Sequence, residues 1–175
     1  MIHAPVILVN EQDEPVGTME KLEAHEKGLL HRAFSIFIFN HQHEMLLHQR
    51  ATEKYHSGGL WTNACCSHPI LGEDLITGAK RRLREEMGFE CELTEIFSFT
   101  YKAQLDNNLT EHEFDHVLVG YYDGDIVPEK SEVQDFGYYS LDDIHHLLQT
   151  KPGQFTFWFK EAFHKVQAWA VKAHA

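Results

Sequence analysis

Cysteine is scarce in this chain, three among 175 residues, and two of the three are adjacent at Cys65 and Cys66. That supply fits neither a dense disulfide framework nor a pair of Cys-x-x-Cys metal knuckles, so reduced thiols are expected. Positive charge is also thin: 15 Lys and Arg face 27 Asp and Glu, for a formal charge of -12 and a pI near 5.5. Such an acid excess disfavours nonspecific attraction to nucleic acid or anionic lipid, and leaves room only for a local basic pocket. Mean hydropathy is -0.38, and no apolar run approaches the roughly 20 residues that cross a bilayer. Residues 1–6 carry no basic segment, apolar stretch or small-residue cleavage site, so a cytoplasmic location is expected. No flexible linker, internal repeat or low-complexity tract interrupts the chain. Its length and 43% hydrophobic content suffice for one domain over residues 1–175 with its own core. Histidine is the excess, 14 residues, and it directs attention to metal ligands and proton-transfer groups.

Strands and helices alternate in the hydrophobic pattern. Ile7 to Val9 reads as a short strand before a turn over Asn10 to Pro15, and Met19 to Leu30 reads as a weak helix followed by a loop at Gly28. Ala33 to Phe39 and Met45 to Leu47 are two strands joined by a short turn. Ala51 to His68, with Ser57-Gly58-Gly59, reads as a folded loop. Glu73 to Met87 carries Leu75, Ile76, Ala79, Leu83 and Met87 at helical spacing, is interrupted by Gly78, and stops at Gly88. Strands are expected within Leu93 to Tyr101, Phe114 to Tyr122 and Gly137 to Tyr139. A short helix starts after Ser140, and a terminal helix covers Phe155 to Ala170 beyond the Pro152-Gly153 break.

Three segments concentrate chemistry. Trp61 to Pro69 brings thiol, amide, hydroxyl and imidazole groups together, which permits proton transfer, nucleophilic attack or metal coordination; packed thiols and a capping His68 are the plain alternative. Adjacent cysteines in an extended chain point to opposite sides, so only one need face the chemistry. In Glu111 to His116 an extended backbone would align Glu111, Glu113 and Asp115 on one side. That row suits a hard cation or a carboxylate that moves a proton, and equally a solvated acidic turn. In Arg81 to Phe89, Glu85 or Glu86 could hold Mg2+ and Arg82 an anion, against a reading of solvated intrahelical ion pairs.

Cys66-Ser67-His68-Pro69, with His31-Arg32-Ala33-Phe34-Ser35 and Arg81 to Phe89, resembles the type I isopentenyl-diphosphate isomerases. The resemblance runs over almost the whole chain, through Glu111-His112-Glu113 and Trp158. Within it, Glu73, Arg81, Leu83, Glu85, Glu86, Gly88 and Phe89 match much of a Nudix motif, from which Ser67 (for Gly) and Arg82 (for Glu) depart.

The resemblance implies an α/β fold, a single-domain Nudix-like α/β/α sandwich with a mixed sheet. It implies a first metal site of His25, His31, His68, Glu111 and Glu113 for Zn2+ or Mn2+, and Glu86 for Mg2+ with the substrate diphosphate. Lys21, Arg50, Lys54 and Arg82 would hold that diphosphate. Cys66 and Glu113 would exchange acid and base duties across the substrate, Tyr101 would relay protons near Glu113, and Trp158 would stabilise carbocation character. The implied partners are isopentenyl and dimethylallyl diphosphate, precursors of isoprenoids, with neither nucleic acid nor stable membrane insertion. A diverged Nudix hydrolase and a diphosphate-binding protein without turnover stay open as alternatives, and so does the oligomeric state, a monomer included.

Overall fold

A computed structural model describes residues 4–175. The expectation about a leader falls partly on residues 1–3, which lie outside the described residues. The first strand, β1 (Val6–Val9), forms an antiparallel hairpin with β2 (Pro15–Met19). Helix α1 (Lys21–Lys27) begins where the Glu20 side chain accepts from the Glu23 amide, and ends at Gly28, whose left-handed conformation closes the last turn. Gly28 therefore ends the helix that the sequence placed around it.

Strand β3 (His31–Phe39) is the axis of the sheet, as its run of aromatic and β-branched residues requires of a strand covered on both faces. One edge of β3 pairs in parallel with β8 (Thr110–Tyr121) along its whole length, from His31 opposite Glu113 to Phe39 opposite Tyr121. Its other edge is shared. β1 meets it at His31, β6 (Cys65–Ser67) lies against Phe34 to Ile36, and β4 (Met45–Arg50) joins at Phe39. The expected β3–β4 hairpin thus stays paired only beside its turn, then parts. β5 (Trp61–Thr62) and β9 (Val133–Tyr139) pair with β4, while β7 (Thr94–Gln104) pairs with β8. Antiparallel and parallel pairs make one mixed sheet of nine strands among the described residues.

Helices cover both faces. On one, α2 (Leu75–Met87) lays Ala79, Leu83 and Met87, four residues apart, against Phe34, Ile36 and Ile38. On the other, α3 (Leu141–Thr150) and α4 (Phe157–Ala173) pack Ile144, Phe159, Phe163 and Val166 against Phe37, Phe39 and Val117. This is the expected α/β/α sandwich. Ser140 caps α3 and Thr156 caps α4, each accepting from an amide three residues on.

Two expectations need correction. The segment Ala51 to His68 is a loop only as far as Leu60; backbone pairing to β4 and β3 makes β5 and β6 of its end. Gly78 does not interrupt α2 but lies inside it, packed against the Glu73 side chain, 2.4 Å from where a Cβ would stand, and Glu73 in turn pairs with Arg81. Gly88 does stop the helix, at φ +77, with a Cβ position 2.4 Å from the Val127 carbonyl oxygen. Gly88→Ala is therefore expected to cost at least about 1 kcal/mol from the left-handed conformation alone. A thermal melt should show a midpoint lower by roughly 2–4 °C or more; an unchanged midpoint would contradict the packing described.

Candidate active site

The strand registers decide which side chains meet. Residues two apart on a strand share a face, and directly paired residues share it too. His31 opposite Glu113, Ala33 opposite Asp115 and Ser35 opposite Cys66 therefore lie on one face of the sheet, the face that α4 covers. The acidic row of β8 is buried: Glu111, Glu113 and Asp115 are 3%, 8% and 0% exposed. The solvated-turn reading of that segment is thus excluded. Above the row opens a cavity of about 370 Å³, lined by Cys66, His68, Glu86, Glu111, Glu113 and Trp158, and by the cations Lys21, Arg50, Lys54 and Arg82. His25, His31 and Tyr101 are buried and reach this site through the carboxylates they bond. All thirteen residues to which the resemblance assigns a role therefore line this cavity or bond to a side chain that does.

His25, His31, His68 and Glu111 offer ligand atoms that lie within 4.8 Å of one another. His25 Nδ1 is 2.7 Å from the Lys21 carbonyl oxygen and His31 Nδ1 is 2.9 Å from that of Leu29. A carbonyl only accepts, so both Nδ1 atoms donate, and whenever a ring is neutral its Nε2 lone pair points inward. Those lone pairs face Glu111 Oε1 at 2.8 and 3.2 Å, and all three atoms lack a hydrogen-bond partner. Acceptors aimed at one another in a buried site are satisfied either by protons on the imidazoles or by a metal cation between them. Burial works against a charged imidazole, yet hydrogen bonds to the carboxylates outweigh it, raising His25 and holding His31 at about 10. The geometry that draws those protons is one a divalent cation satisfies by replacing them. Glu113 completes the surroundings, with Oε2 at 2.9 Å from His68 Nε2 and 3.4 Å from His31 Nε2. Nitrogen and oxygen donors at this spacing fit a divalent metal.

On the opposite flank of β3, the Cys66 thiol donates to Asn63 Oδ1 at 3.2 Å and accepts from Trp158 Nε1 at 3.0 Å. The Asn63 amide has a fixed orientation, because its nitrogen donates to the carbonyls of Ile36 and Cys65 at 2.9 and 3.1 Å. Burial above all pushes the Cys66 thiol up to about 12, so it carries its proton. Glu113 goes the other way: desolvation alone would raise it, but hydrogen bonds from His31 and His68 hold it well below the usual carboxylate range. Tyr101 donates its hydroxyl proton to Glu113 Oε1, and burial beside Glu113 keeps the phenol protonated far above its ordinary pKa.

The basic wall is uneven. Arg50 lies 5.3 Å from the Trp158 ring centroid, and its buried Nε has no partner. Lys21 sits over the Tyr55 ring at 5.1 Å, its pKa lowered by burial and then by Lys54. Among the described residues neither makes an ion pair, whereas Lys54 pairs with Glu132 and Arg82 with Glu85 and Glu86. Arg82 Nε also donates to Ser67 Oγ at 3.0 Å. The two departures from the Nudix pattern are thus bonded to each other.

The sequence did not single out His48 or His56, both buried in the cavity wall. His56 Nε2 stands 3.6 Å from Glu111 Oε2, and its ring meets Trp158 edge-on at 6.0 Å. Burial pushes these imidazoles down to about 4 and about 2, so both are neutral. No local pattern marks them among so many histidines. Asp115 stood out only as part of the acidic row; it takes a 2.7 Å hydrogen bond from Ser35, and burial next to Glu113 raises its pKa well above normal.

Residues 29–159 match the family described as the NUDIX domain. The fold is shared with a solved protein of Deinococcus radiodurans, at a TM-score of 0.75 and 19% identity over 92% of this chain and 98% of that one. It is shared also with a MutT protein of Methanosarcina mazei, at a TM-score of 0.66 and 19% identity over 79% and 94%. In sequence the chain is 52% identical to the isopentenyl-diphosphate Delta-isomerase of Pectobacterium atrosepticum over 92% of this chain and 90% of that protein. It is 48% identical to isopentenyl-diphosphate Delta-isomerase 1 of Aromatoleum aromaticum over 93% and 92%. On that identity across nearly the full length of these relatives, and on the Nudix sandwich beneath it, the chain belongs to the isopentenyl-diphosphate Delta-isomerase family.

Proposed function

We propose that this chain interconverts isopentenyl diphosphate and dimethylallyl diphosphate by adding a proton at one carbon and removing one from another, leaving the diphosphate intact. We read residues 1–175 as one isomerase domain, since both apolar layers pack on the same sheet. One observation carries the reaction: the Cys66 thiol and the Glu113 carboxylate stand on strands flanking β3 and line one cavity, where burial favours the protonated thiol and the neighbouring imidazoles favour the ionised carboxylate. A double-bond shift needs one proton donor and one acceptor, exchanging roles when the direction reverses. Hydrolysis needs neither a thiol nor an aromatic wall.

The substrate would lie with its alkene between Cys66 and Glu113 and its diphosphate toward Lys21, Arg50, Lys54 and Arg82. Lys21 and Arg50 offer charge without a competing carboxylate, while Lys54 and Arg82 exchange part of an ion pair for phosphate oxygens. His25, His31, His68, Glu111 and Glu113 would hold Zn2+ or Mn2+, and Glu86 would hold Mg2+ together with the diphosphate. Such ions supply fixed positive charge that orients a carboxylate, tunes its acidity and neutralises phosphate oxygens. Tyr101 holds a proton at Glu113 Oε1, so the carboxylate has a partner through which its proton can pass.

Proton addition to the alkene builds positive charge on a tertiary carbon. The Trp158 indole, bonded to the Cys66 sulfur and lining the cavity, would offer a π face to that charge. Trp158→Leu is expected to lower kcat by about 30-fold, the equivalent of a desolvated cation–π contact near 2 kcal/mol. Trp158→Phe should recover most of that loss. Equal losses in the two variants, with unchanged circular dichroism, would remove the electrostatic role.

Product analysis tests the reading as a whole. Purified protein with isopentenyl diphosphate, Mg2+ and either Zn2+ or Mn2+ is expected to form dimethylallyl diphosphate and release no phosphate. Phosphate release would identify a hydrolase, and diphosphate binding without turnover would identify a binding protein; either result contradicts the proposal.

A further inference from the structure

Cys65 and Cys66 are neighbours in β6, and the two-residue period of a strand sends their side chains to opposite faces. Cys66 turns to the α4 side, against Trp158. Cys65 turns to the α2 side, fully buried among Phe34, Ile36, Leu83 and Met87. Packing alone would be served there by an apolar side chain of similar size. The polar neighbour that gives the thiol a task is Glu86, whose Oε2 lies 3.3 Å from Cys65 Sγ. A carboxylate only accepts, so the thiol donates. The other oxygen, Oε1, accepts from Arg82 Nη2. Glu86 is gripped through both oxygens from within the protein, and still lines the cavity.

We propose that Cys65 is a positioning residue for Glu86, holding the carboxylate so that its remaining lone pairs face a divalent cation carried by the diphosphate. One dipeptide then sets both ends of the substrate: Cys66 addresses the alkene from one face of β6, and Cys65 orients the diphosphate's cation ligand from the other. The substrate cannot slide relative to the acid without breaking one of these contacts. Outer hydrogen bonds of this kind fix the direction of a ligand whose own rotamers would otherwise spread.

The inference rests on the reading of Glu86 as a cation ligand, and the test separates the two. Binding of inorganic pyrophosphate in the presence of Mg2+ is measured by calorimetry on the full chain with Cys66 intact, for Cys65→Ala, Cys65→Val, Cys65→Ser and Glu86→Gln. The Mg2+ dependence of turnover is measured alongside. Cys65→Ala and Cys65→Val, which lack a donor, are expected to weaken Mg2+-dependent binding and raise the half-saturating Mg2+ by about tenfold. Their kcat at saturation should stay within about twofold, because the reacting groups are untouched. Cys65→Ser, which keeps a donor, should restore Mg2+ dependence to within about twofold even where its melting temperature falls. Equal weakening in Ser, Ala and Val would reduce Cys65 to packing and overturn the inference. Weakening by Glu86→Gln with none in Cys65→Ala or Cys65→Val would overturn it while leaving the Glu86 reading intact. No effect of Glu86→Gln would overturn both.

Discussion

Cys66→Ala is expected to lower kcat for isopentenyl diphosphate by about 10³-fold, within the range supplied by a positioned general acid or base. The KM should change by less than about threefold, since the groups that meet the diphosphate come from α1, β4, the following loop and α2. The side chain removed is small and makes no ion pair. Its loss strips Trp158 Nε1 of an acceptor and Asn63 Oδ1 of a donor, at about 1 kcal/mol each. The variant should therefore fold and bind. Steady-state kinetics with calorimetric pyrophosphate binding checks the split. A variant that turns over normally but no longer binds would reverse the assigned roles.

Glu113→Gln should have an effect of similar size by a double route. A glutamine cannot carry the transferred proton, and its amide replaces the charge that His31 and His68 now share. A loss of about 10³-fold in kcat is expected, together with a 10–100-fold loss of affinity for the metal at the histidine cluster. Metal content measured on the purified variant separates the two routes, because turnover should stay low when metal is restored to full occupancy. Tyr101→Phe isolates the proton path further. It leaves the carboxylate in place, removes the hydroxyl bonded to it, and should slow turnover without loss of metal. Full metal with turnover within tenfold of the parent for Glu113→Gln would show that another group moves this proton.

Much of this site was legible in the sequence, for physical reasons that differ along the chain. The acidic row depended only on the two-residue period of an extended strand, so Glu111, Glu113 and Asp115 could be aligned before any contact was known. The same rule separated the two cysteines. Helix α2 announced itself through its four-residue spacing and its closing Gly88. Local patterns fell short where long-range pairing made the structure. Trp61-Thr62 and Cys65 to Ser67 become strands only because β4 and β3 supply partners. His56 belongs to the wall because its ring contacts His25 and Trp158 across the fold. Family resemblance, by contrast, gathered Lys21, Arg50, His25 and Trp158, whose separation in sequence carries no sign of their meeting. The departures at Ser67 and Arg82, fifteen residues apart, are one hydrogen-bonded unit.

Opposed placement of the proton donor and acceptor is the claim on which the mechanism turns, and the stereochemical course of the reaction tests it directly. Isopentenyl diphosphate labelled stereospecifically with deuterium at its alkene terminus and at the carbon that loses hydrogen would be converted in tritiated water under single-turnover conditions. If Cys66 and Glu113 flank the substrate as proposed, the new hydrogen must arrive on one face and the departing hydrogen leave from the other. Addition and removal on the same face would contradict that arrangement.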